Sequence, residues 1–174
     1  MFELITGGSG SGKSAYAENR VLSVGAGRRI YIATMLPYGE DGRQRVERHR
    51  KLREKKQFET IECYTNLKSL SLPSDGIVLL ECMSNLVANE VFELDGAGER
   101  TIEEAMRGIE ALRRQARHLF VVTNEVFSDG VAYDAETMRY LSFLGAVNQK
   151  MAEQADVVTE VVYGIPVSVR QAGD

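Results

Sequence analysis

Apolar residues along the chain fall into two alternating kinds of pattern. Short runs rich in β-branched and aromatic residues predict strands at residues 2–6, 29–34, 58–62, 77–81 and 118–124, and the runs "VVTEVVYG" and "PVSVR" predict two more. Longer segments with helical spacing lie between several of these runs, at residues 13–24, 42–56, 83–93, 101–117 and 134–155. The alternation predicts an α/β fold with a mostly parallel sheet. We expect the last two strands, separated by "YGIP", to form a C-terminal hairpin.

The last predicted helix carries a regular apolar stripe. Its apolar residues recur at steps of three and four, which is the spacing of one helix face, and they are Met138, Leu141, Leu144, Val147 and Met151. We interpret this stripe as core packing.

Length and composition limit the class of protein. The chain has 174 residues, of which 44% are hydrophobic, and we expect one domain spanning residues 1–174. No apolar run approaches the ~18 residues of a membrane span, and the N-terminus lacks a secretory pattern. Cys63 and Cys82 have no metal-binding spacing and are interpreted as reduced thiols. These features predict a cytoplasmic protein.

The stretch "GGSGSGKS" matches the phosphate-binding loop pattern G-x-x-x-x-G-K-[ST]. It follows an apolar strand and precedes a helix, so its backbone N–H groups can surround phosphate oxygens at the positive end of that helix. The lysine would neutralise phosphate charge, and the final serine would bind Mg²⁺. The loop predicts a three-layer P-loop NTPase-like fold. Its residues are Gly7, Gly8, Ser9, Gly10, Ser11, Gly12, Lys13 and Ser14.

Acidic and polar residues follow two other predicted strands. Glu81 ends "IVLLE", where a carboxylate can position the water shell of Mg²⁺. Thr123, Asn124 and Glu125 end "VVTNE", and we expect them to face the same crevice because ligands bind beyond the carboxyl ends of parallel strands. Spacing alone assigns these last three no individual role.

Positive charge is concentrated in "RQRVERHRKLREKK", residues 43–56. This stretch holds 8 of the 21 basic residues and 2 of the 25 acidic ones, which leaves 13 basic against 23 acidic elsewhere. If the stretch is helical, Arg45, His49 and Arg53 share one face. The two guanidinium groups would disfavour a protonated imidazole, so His49 would be a neutral nucleophile beside cations that can bind phosphate.

Two other interpretations of the basic stretch stay open at this point. It is also typical of a solvated amphipathic helix, in which His49 has no chemical role. A nucleic-acid patch is disfavoured because the rest of the chain is acidic and the stretch lacks aromatic residues.

Taken in order, "GGSGSGKS", "YIAT", "RVERHRKLR", "TIE", "LLECMSNLVAN", "VVTNEV" and "VNQKMAEQAD" resemble the adenosylcobinamide kinase/adenosylcobinamide-phosphate guanylyltransferase family of cobalamin biosynthesis. The resemblance covers nearly the whole chain. It implies phosphorylation of adenosylcobinamide, followed by GMP transfer from GTP to adenosylcobinamide phosphate through a guanylyl-histidine. It also implies a homotrimer. From the phosphate loop and the two implied reactions we expect Mg²⁺ as cofactor and GTP and ATP as substrates.

The resemblance assigns roles to particular positions. His49 takes the place of the guanylylated histidine, between Arg45 and Arg53, which match the arginines of the motif. Lys13 of the phosphate loop is the other catalytic residue that we expect. Besides the phosphate loop, the implied nucleotide contacts are Ala33, Thr34, Met35, Arg50, Lys51, Leu52, Arg53, Glu62 and Glu81. Ser14 and Glu81 are the implied Mg²⁺ residues, the latter through water.

The chain departs from the family pattern in two places. Glu54 follows Arg53 where members commonly have proline, and "NEVFSDGVAYDAE" replaces the usual "NEVG-x-GIVP". A simple P-loop kinase without guanylyl transfer is the alternative function. A third class is a non-catalytic nucleotide-binding regulator or a nucleic-acid-binding ATPase. Tight, strongly salt-dependent binding of oligonucleotides would identify it, and the acidic remainder of the chain argues against it.

Overall fold

The computed structural model describes residues 1–73 and 75–173, and it describes only the backbone of Arg45, Arg48, His49 and Leu52. The strands are β1 Phe2–Thr6, β2 Arg29–Ala33, β3 Phe58–Glu62, β4 Ile77–Glu81, β5 His118–Val122, β6 Val157–Val162 and β7 Ile165–Arg170. The helices are α1 Lys13–Ser23, α2 Gly39–Lys55, α3 Met83–Phe92, α4 Thr101–Gln115 and α5 Ala135–Gln154, with short 3₁₀ turns at Leu67–Ser69 and Gly98–Arg100.

The seven strands form one sheet in the order β3-β2-β4-β5-β1-β6-β7. All neighbouring pairs are parallel except β6 and β7, which form the antiparallel hairpin at the end of the chain. The predicted α/β fold class, with its mostly parallel sheet and C-terminal hairpin, is therefore confirmed. Ala33 pairs with both Glu62 and Glu81, and Glu81 pairs with Val122, so the strands end together at one edge.

Alternate side chains of the strands enter two apolar layers. In β4, Val78 and Leu80 pack with α3, α4 and α5, whereas Ile77 and Leu79 pack on the face that α1 covers. Successive side chains of a strand point to opposite faces of the sheet, and here helices cover both faces. The buried strands are therefore apolar at almost every position. The result is a three-layer arrangement that fixes the strand ends rigidly.

Helix α2 begins at Gly39, three residues before the predicted start. Its first turn contains Glu40 and Asp41, and acidic side chains are favourable there because the N-terminal end of a helix is positive. Its backbone is helical through His49 and Arg53, as predicted.

The apolar stripe of α5 is only partly core. Leu144, Val147 and Met151 are fully buried, but Met138 is 50% exposed and Leu141 is half-buried. The prediction of core packing was wrong for Met138, which lies in the first turn of α5, six residues before Leu144, the first fully buried position of the helix.

Candidate functional site

The phosphate-loop pattern forms a tight turn between β1 and α1. Gly10 and Gly12 adopt left-handed backbone conformations, with φ of 70° and 90°. Gly7 is required for space, because a Cβ there would lie 2.6 Å from the carbonyl oxygen of Val161. The loop also contacts the β6–β7 turn, where the Gly164 N–H donates to the carbonyl oxygen of Ser11 at 2.7 Å. Neighbouring backbone therefore fixes the shape of the loop.

The side chains of the loop are arranged for an anion and a cation. Lys13 is buried, and its Nζ donates to the carbonyl oxygen of Gly8 at 2.9 Å. The Ser14 hydroxyl donates to the Glu81 carboxylate, so these two predicted metal-binding groups are in contact across the end of β5. The Ser11 hydroxyl oxygen is buried and has no hydrogen-bond partner among the described residues. An oxyanion in the loop would give the Ser11 hydroxyl an acceptor.

A cavity of about 160 Å³ lies between α2 and the ends of β2, β3 and β4. Five predicted nucleotide-binding residues line it: Ala33, Met35, Arg53, Glu62 and Glu81. Because Glu81 also contacts Ser14, the cavity and the phosphate loop adjoin. The structure thus brings together residues that are far apart in the sequence.

Arg53 closes one side of this cavity. Only 6% of its surface is exposed, and its guanidinium carbon lies 3.9 Å from the centroid of the Tyr31 ring. A guanidinium stacked on an aromatic face is stabilised by the ring quadrupole, and it keeps its N–H groups available at the edge. The Arg53 Nε has no hydrogen-bond partner among the described residues. Burial, followed by the nearby Glu81 carboxylate, raises the pKa of the Tyr31 hydroxyl far above its usual value.

Buried polar contacts hold the ends of β2 and β4 together. The Thr34 hydroxyl donates to the carbonyl oxygen of Cys82 and accepts from the Cys82 N–H, both at 2.8 Å. Asn89 of α3 donates to the carbonyl oxygens of Thr34 and Tyr64, at 2.8 and 2.9 Å. Burial raises the pKa of the Cys82 thiol, so the thiol stays protonated and is a poor nucleophile.

The residues after β5 make contacts on the same edge. The Thr123 hydroxyl donates to Asn148 of α5 at 2.7 Å, and Asn124 donates to the Ser84 hydroxyl at 2.6 Å. The Glu125 carboxylate accepts from the Phe127 N–H at 2.8 Å and from the Ser128 hydroxyl at 2.9 Å. Glu125 therefore organises the start of the loop that departs from the family pattern.

The remaining predicted residues lie on α2. Arg50 and Lys51 are exposed, and they form ion pairs with Glu54 and Glu47, each at 3.6 Å. The predictions for Arg45, His49 and Leu52 concern side chains that lie outside the described part of the chain.

Sequence reasoning missed Ser84, Asn85 and Asn89. Asn85 lines the cavity, and the other two support it through hydrogen bonds. The sequence did contain a signal: these three polar residues lie among the apolar residues of "CMSNLVAN", which follows Glu81 directly. Among the described residues, no cluster of three or more potential metal ligands was found, and no described helix is long and apolar enough to cross a membrane.

Together, the parallel sheet, the glycine loop and the Lys13–Ser14–Glu81 arrangement define a P-loop nucleotide-binding α/β protein. Residues 3–169 match the family model described as cobinamide kinase / cobinamide phosphate guanyltransferase. The chain belongs to this family, and the family predicted from the sequence is confirmed.

Relatives with similar sequences have consistent names. The chain is 34% identical to the "bifunctional adenosylcobalamin biosynthesis protein CobU" of Salmonella typhimurium, over 98% of this chain and 100% of the relative. It is 31% identical to the protein of the same name from Escherichia coli, with the same coverage. A protein named CobP from Pseudomonas aeruginosa is 30% identical and covered to 98% in both directions.

A solved structure supports the fold alone. A KaiC-like protein from Pyrococcus horikoshii matches with a TM-score of 0.50 at 11% sequence identity, covering 91% of this chain and 71% of that one. This likeness agrees with the predicted fold and carries no statement about activity.

Proposed function

We propose that this protein phosphorylates adenosylcobinamide and then transfers GMP from GTP to adenosylcobinamide phosphate through a guanylyl-His49 intermediate. The family supports the two activities. The observation that carries the site is the cavity between α2 and the strand ends, which adjoins the phosphate loop through the Ser14–Glu81 contact. One nucleotide can therefore reach both the loop and the helix that contains His49.

For the kinase step, the phosphate loop binds the nucleotide and Lys13 neutralises developing charge on the transferred γ-phosphoryl group. The acceptor hydroxyl forms the new P–O bond while the bond to the nucleoside diphosphate breaks, and the hydroxyl proton passes to solvent or a nearby base. Because this chemistry needs mainly positioning and charge stabilisation, the loop supplies most of the catalysis. We propose that the donor is a nucleoside triphosphate, ATP or GTP.

Mg²⁺ fits the residues at this site. A hydroxyl and a carboxylate in contact, Ser14 and Glu81, are oxygen ligands of the kind that Mg²⁺ takes together with water and phosphate oxygens. When bound, the ion would neutralise phosphate charge. Ser14 would hold it directly and Glu81 through water.

For guanylyl transfer, a neutral His49 nitrogen attacks the α-phosphorus of GTP. A P–N bond forms, the bond to pyrophosphate breaks, and the imidazole loses its N–H proton. An oxygen of adenosylcobinamide phosphate then attacks the same phosphorus and breaks the P–N bond. This gives adenosylcobinamide-GDP, and the leaving imidazole takes up a proton to regenerate neutral His49. Arg45 and Arg53 stabilise charge on the leaving pyrophosphate.

The burial of Arg53 beside Glu81 supports its role. Its guanidinium is held by packing on Tyr31 before any ligand arrives, and preorganised cations stabilise a transition state most effectively. The other proposed nucleotide contacts are Ala33, Thr34, Met35, Arg50, Lys51, Leu52 and Glu62.

Incubation with GTP labelled at the α-phosphate, followed by denaturation, tests this proposal. We expect label on the protein that is labile in acid and stable in base, no label on His49→Ala, and retained γ-phosphoryl transfer to adenosylcobinamide by that variant. An unlabelled wild-type protein with normal phosphoryl transfer would instead identify a simple P-loop kinase. Label on the His49→Ala variant would place the nucleophile elsewhere.

We propose that the chain forms a homotrimer, as the resemblance implies. The exposed apolar side chains of β7 support an assembly: Ile165, Val167 and Val169 alternate along one face and are 64%, 45% and 63% exposed. Apolar side chains on an edge strand favour burial against another surface. Light scattering should give a mass three times that of the chain, and Val169→Lys should lower the measured mass. A monomer at all protein concentrations would contradict the assembly.

We also propose a cytoplasmic location. The free, buried thiols of Cys63 and Cys82 support it, because unpaired cysteines are usual in a reducing compartment. Fractionation of the native host would test this, and recovery outside the cytoplasm would contradict it.

A further inference from the structure

A second and larger cavity, of about 470 Å³, lies next to the nucleotide cavity. It is formed by the loop after β2, the start of α2 and the outer face of α3. Met35 and Asn85 line both cavities, so the two spaces share a wall. A ligand in the second cavity would be beside the nucleotide.

The walls of this cavity expose large apolar side chains. Tyr38 is 71% exposed, Phe92 is 50% exposed and Met35 is 36% exposed. The centroids of the Phe92 ring and the Tyr140 ring of α5 are 6.3 Å apart, so the aromatic surface continues beyond the cavity. Exposed aromatic residues around a concave surface are typical of a binding site, because a ligand with apolar faces removes them from water.

The charge of this cavity differs from that of the phosphate loop. Its charged lining residues in the described part of the chain are Asp41 and Glu93, and no described lysine or arginine lines it. The Tyr38 hydroxyl donates to the Glu93 carboxylate at 2.6 Å, which orients both groups at the cavity wall. Two carboxylates, with no lysine or arginine among the described lining residues, repel a polyphosphate and favour a ligand that carries positive charge.

We propose that this second cavity binds one edge of the corrinoid acceptor. The inference rests on the proposed function, since it assumes that adenosylcobinamide is the substrate. A corrin ring has broad apolar faces and peripheral amides, and its Co(III) adenosyl form carries one net positive charge. The apolar faces of the ring can pack against Tyr38 and Phe92. Its positive charge is complementary to Asp41 and Glu93. Its amides can form hydrogen bonds with Asn85 and with the two carboxylates. The shared wall directs the aminopropanol arm toward the nucleotide.

Two variants of the cavity test this assignment. Phe92→Ala removes an aromatic wall, and Ala88→Trp fills the space between the walls. We expect each to raise the KM for adenosylcobinamide and for its phosphate by about tenfold or more, as loss of an aromatic contact does at binding sites. The rate of enzyme labelling by GTP alone, which needs no corrinoid, should fall by less than about twofold.

The chain offers a matched control and a milder variant. Leu94 is fully exposed and lies two residues beyond Phe92 without lining the cavity, so Leu94→Ala should leave both KM values unchanged. Glu93→Gln keeps the shape of the side chain and removes one charge, so it should raise the KM for the corrinoid by about threefold to tenfold. The KM of this variant should also depend less on salt concentration than the KM of the wild type. This variant remains informative if Ala88→Trp does not fold.

The outcomes separate this inference from the proposed function. If the wild-type protein does not act on adenosylcobinamide, the proposed function is wrong. If the wild type is active and Phe92→Ala, Ala88→Trp and Glu93→Gln leave the corrinoid KM within about twofold, the corrinoid binds elsewhere. If these variants reduce labelling by GTP alone as much as they reduce corrinoid turnover, the cavity belongs to the nucleotide and the assignment is overturned.

Discussion

The two sides of the site are built in opposite ways. On one side, β1 and α1 hold the phosphate loop between buried apolar residues, including Ile5, Ala17 and Val21. On the other side, the 17 residues of α2 include only two large apolar ones, Val46 and Leu52. The phosphate loop is therefore positioned by apolar packing, and the helix that carries His49 depends more on charged and polar contacts.

The contacts of α2 that the structure describes are concentrated near its ends. Arg53 packs on Tyr31, and Lys56, directly after the helix, forms an ion pair with Glu18 of α1. Before the helix, Tyr38 donates to Glu93. Because exposed ion pairs contribute little and weaken with salt, we expect the α2 side to be the less stable part of the site. The phosphate loop thus lies between buried apolar residues, whereas α2 has few large apolar residues with which to pack.

The largest effect is expected on the phosphate-loop side, at Lys13. Replacing it with alanine removes the buried cation of the phosphate loop, so both proposed reactions, γ-phosphoryl transfer and enzyme guanylylation, should fall by about 10²–10³-fold. Steady-state rates and α-label incorporation measure the two reactions. Lys150→Ala, at an exposed position on α5, is the control and should change neither. A variant that loses only one reaction would show that the two steps do not share the loop.

A matched pair of valine substitutions compares the stability of the two sides. Val21→Ala on α1 removes two fully buried methyl groups and should lower the free energy of unfolding by about 2 kcal/mol. Val46→Ala on α2 removes the same groups from a half-buried position and should cost about 1 kcal/mol or less. Urea denaturation gives both values. Equal losses would contradict the difference in packing.

Arg53 tests the chemistry of the α2 side. Arg53→Lys keeps the charge but loses the planar group that stacks on Tyr31, so guanylylation by GTP should fall by about tenfold. Phosphoryl transfer to adenosylcobinamide should change less, because the phosphate loop remains intact. Arg43→Lys, at an exposed residue paired with Glu40, is the matched control. Full activity of Arg53→Lys would show that Arg53 acts only as a charge or not at all.

The smallest effect concerns Gln57, the second residue after α2. Gln57 has a φ of 62°, a left-handed conformation that costs a residue with a Cβ more than it costs glycine. Gln57→Gly should raise the free energy of unfolding by roughly 0.5 kcal/mol, which urea denaturation can detect. A clear loss of stability would mean that the Gln57 side chain, which accepts from Arg29 at 3.4 Å, contributes more than the backbone conformation costs.

The sequence was most informative where one local pattern determines the structure. The run before Gly7, the glycine loop and the carboxylate after "IVLL" predicted the phosphate site because strand, turn and helix each have their own signal. The contact between Ser14 and Glu81 follows from the parallel sheet, in which the strands end at one edge.

Other parts of the site depend on contacts that no local pattern encodes. Arg53 belongs to a charge run, and such runs are usually exposed, yet it is buried on Tyr31. Asn89 donates hydrogen bonds to the backbone of both Thr34 and Tyr64. These residues are far from it in sequence, so residue spacing cannot predict the contacts. Met138 has core spacing but is half exposed, because spacing identifies the buried face of a helix and not how far along the helix the burial extends.

The most direct test of the account is to identify the residue that carries GMP. Enzyme incubated with GTP and Mg²⁺, without corrinoid, would be digested under alkaline conditions and its peptides sequenced by mass spectrometry. The account predicts one modified peptide, with GMP on His49, and loss of the modification when adenosylcobinamide phosphate is added. Modification of a lysine such as Lys13 or Lys51, or no modified peptide, would contradict it.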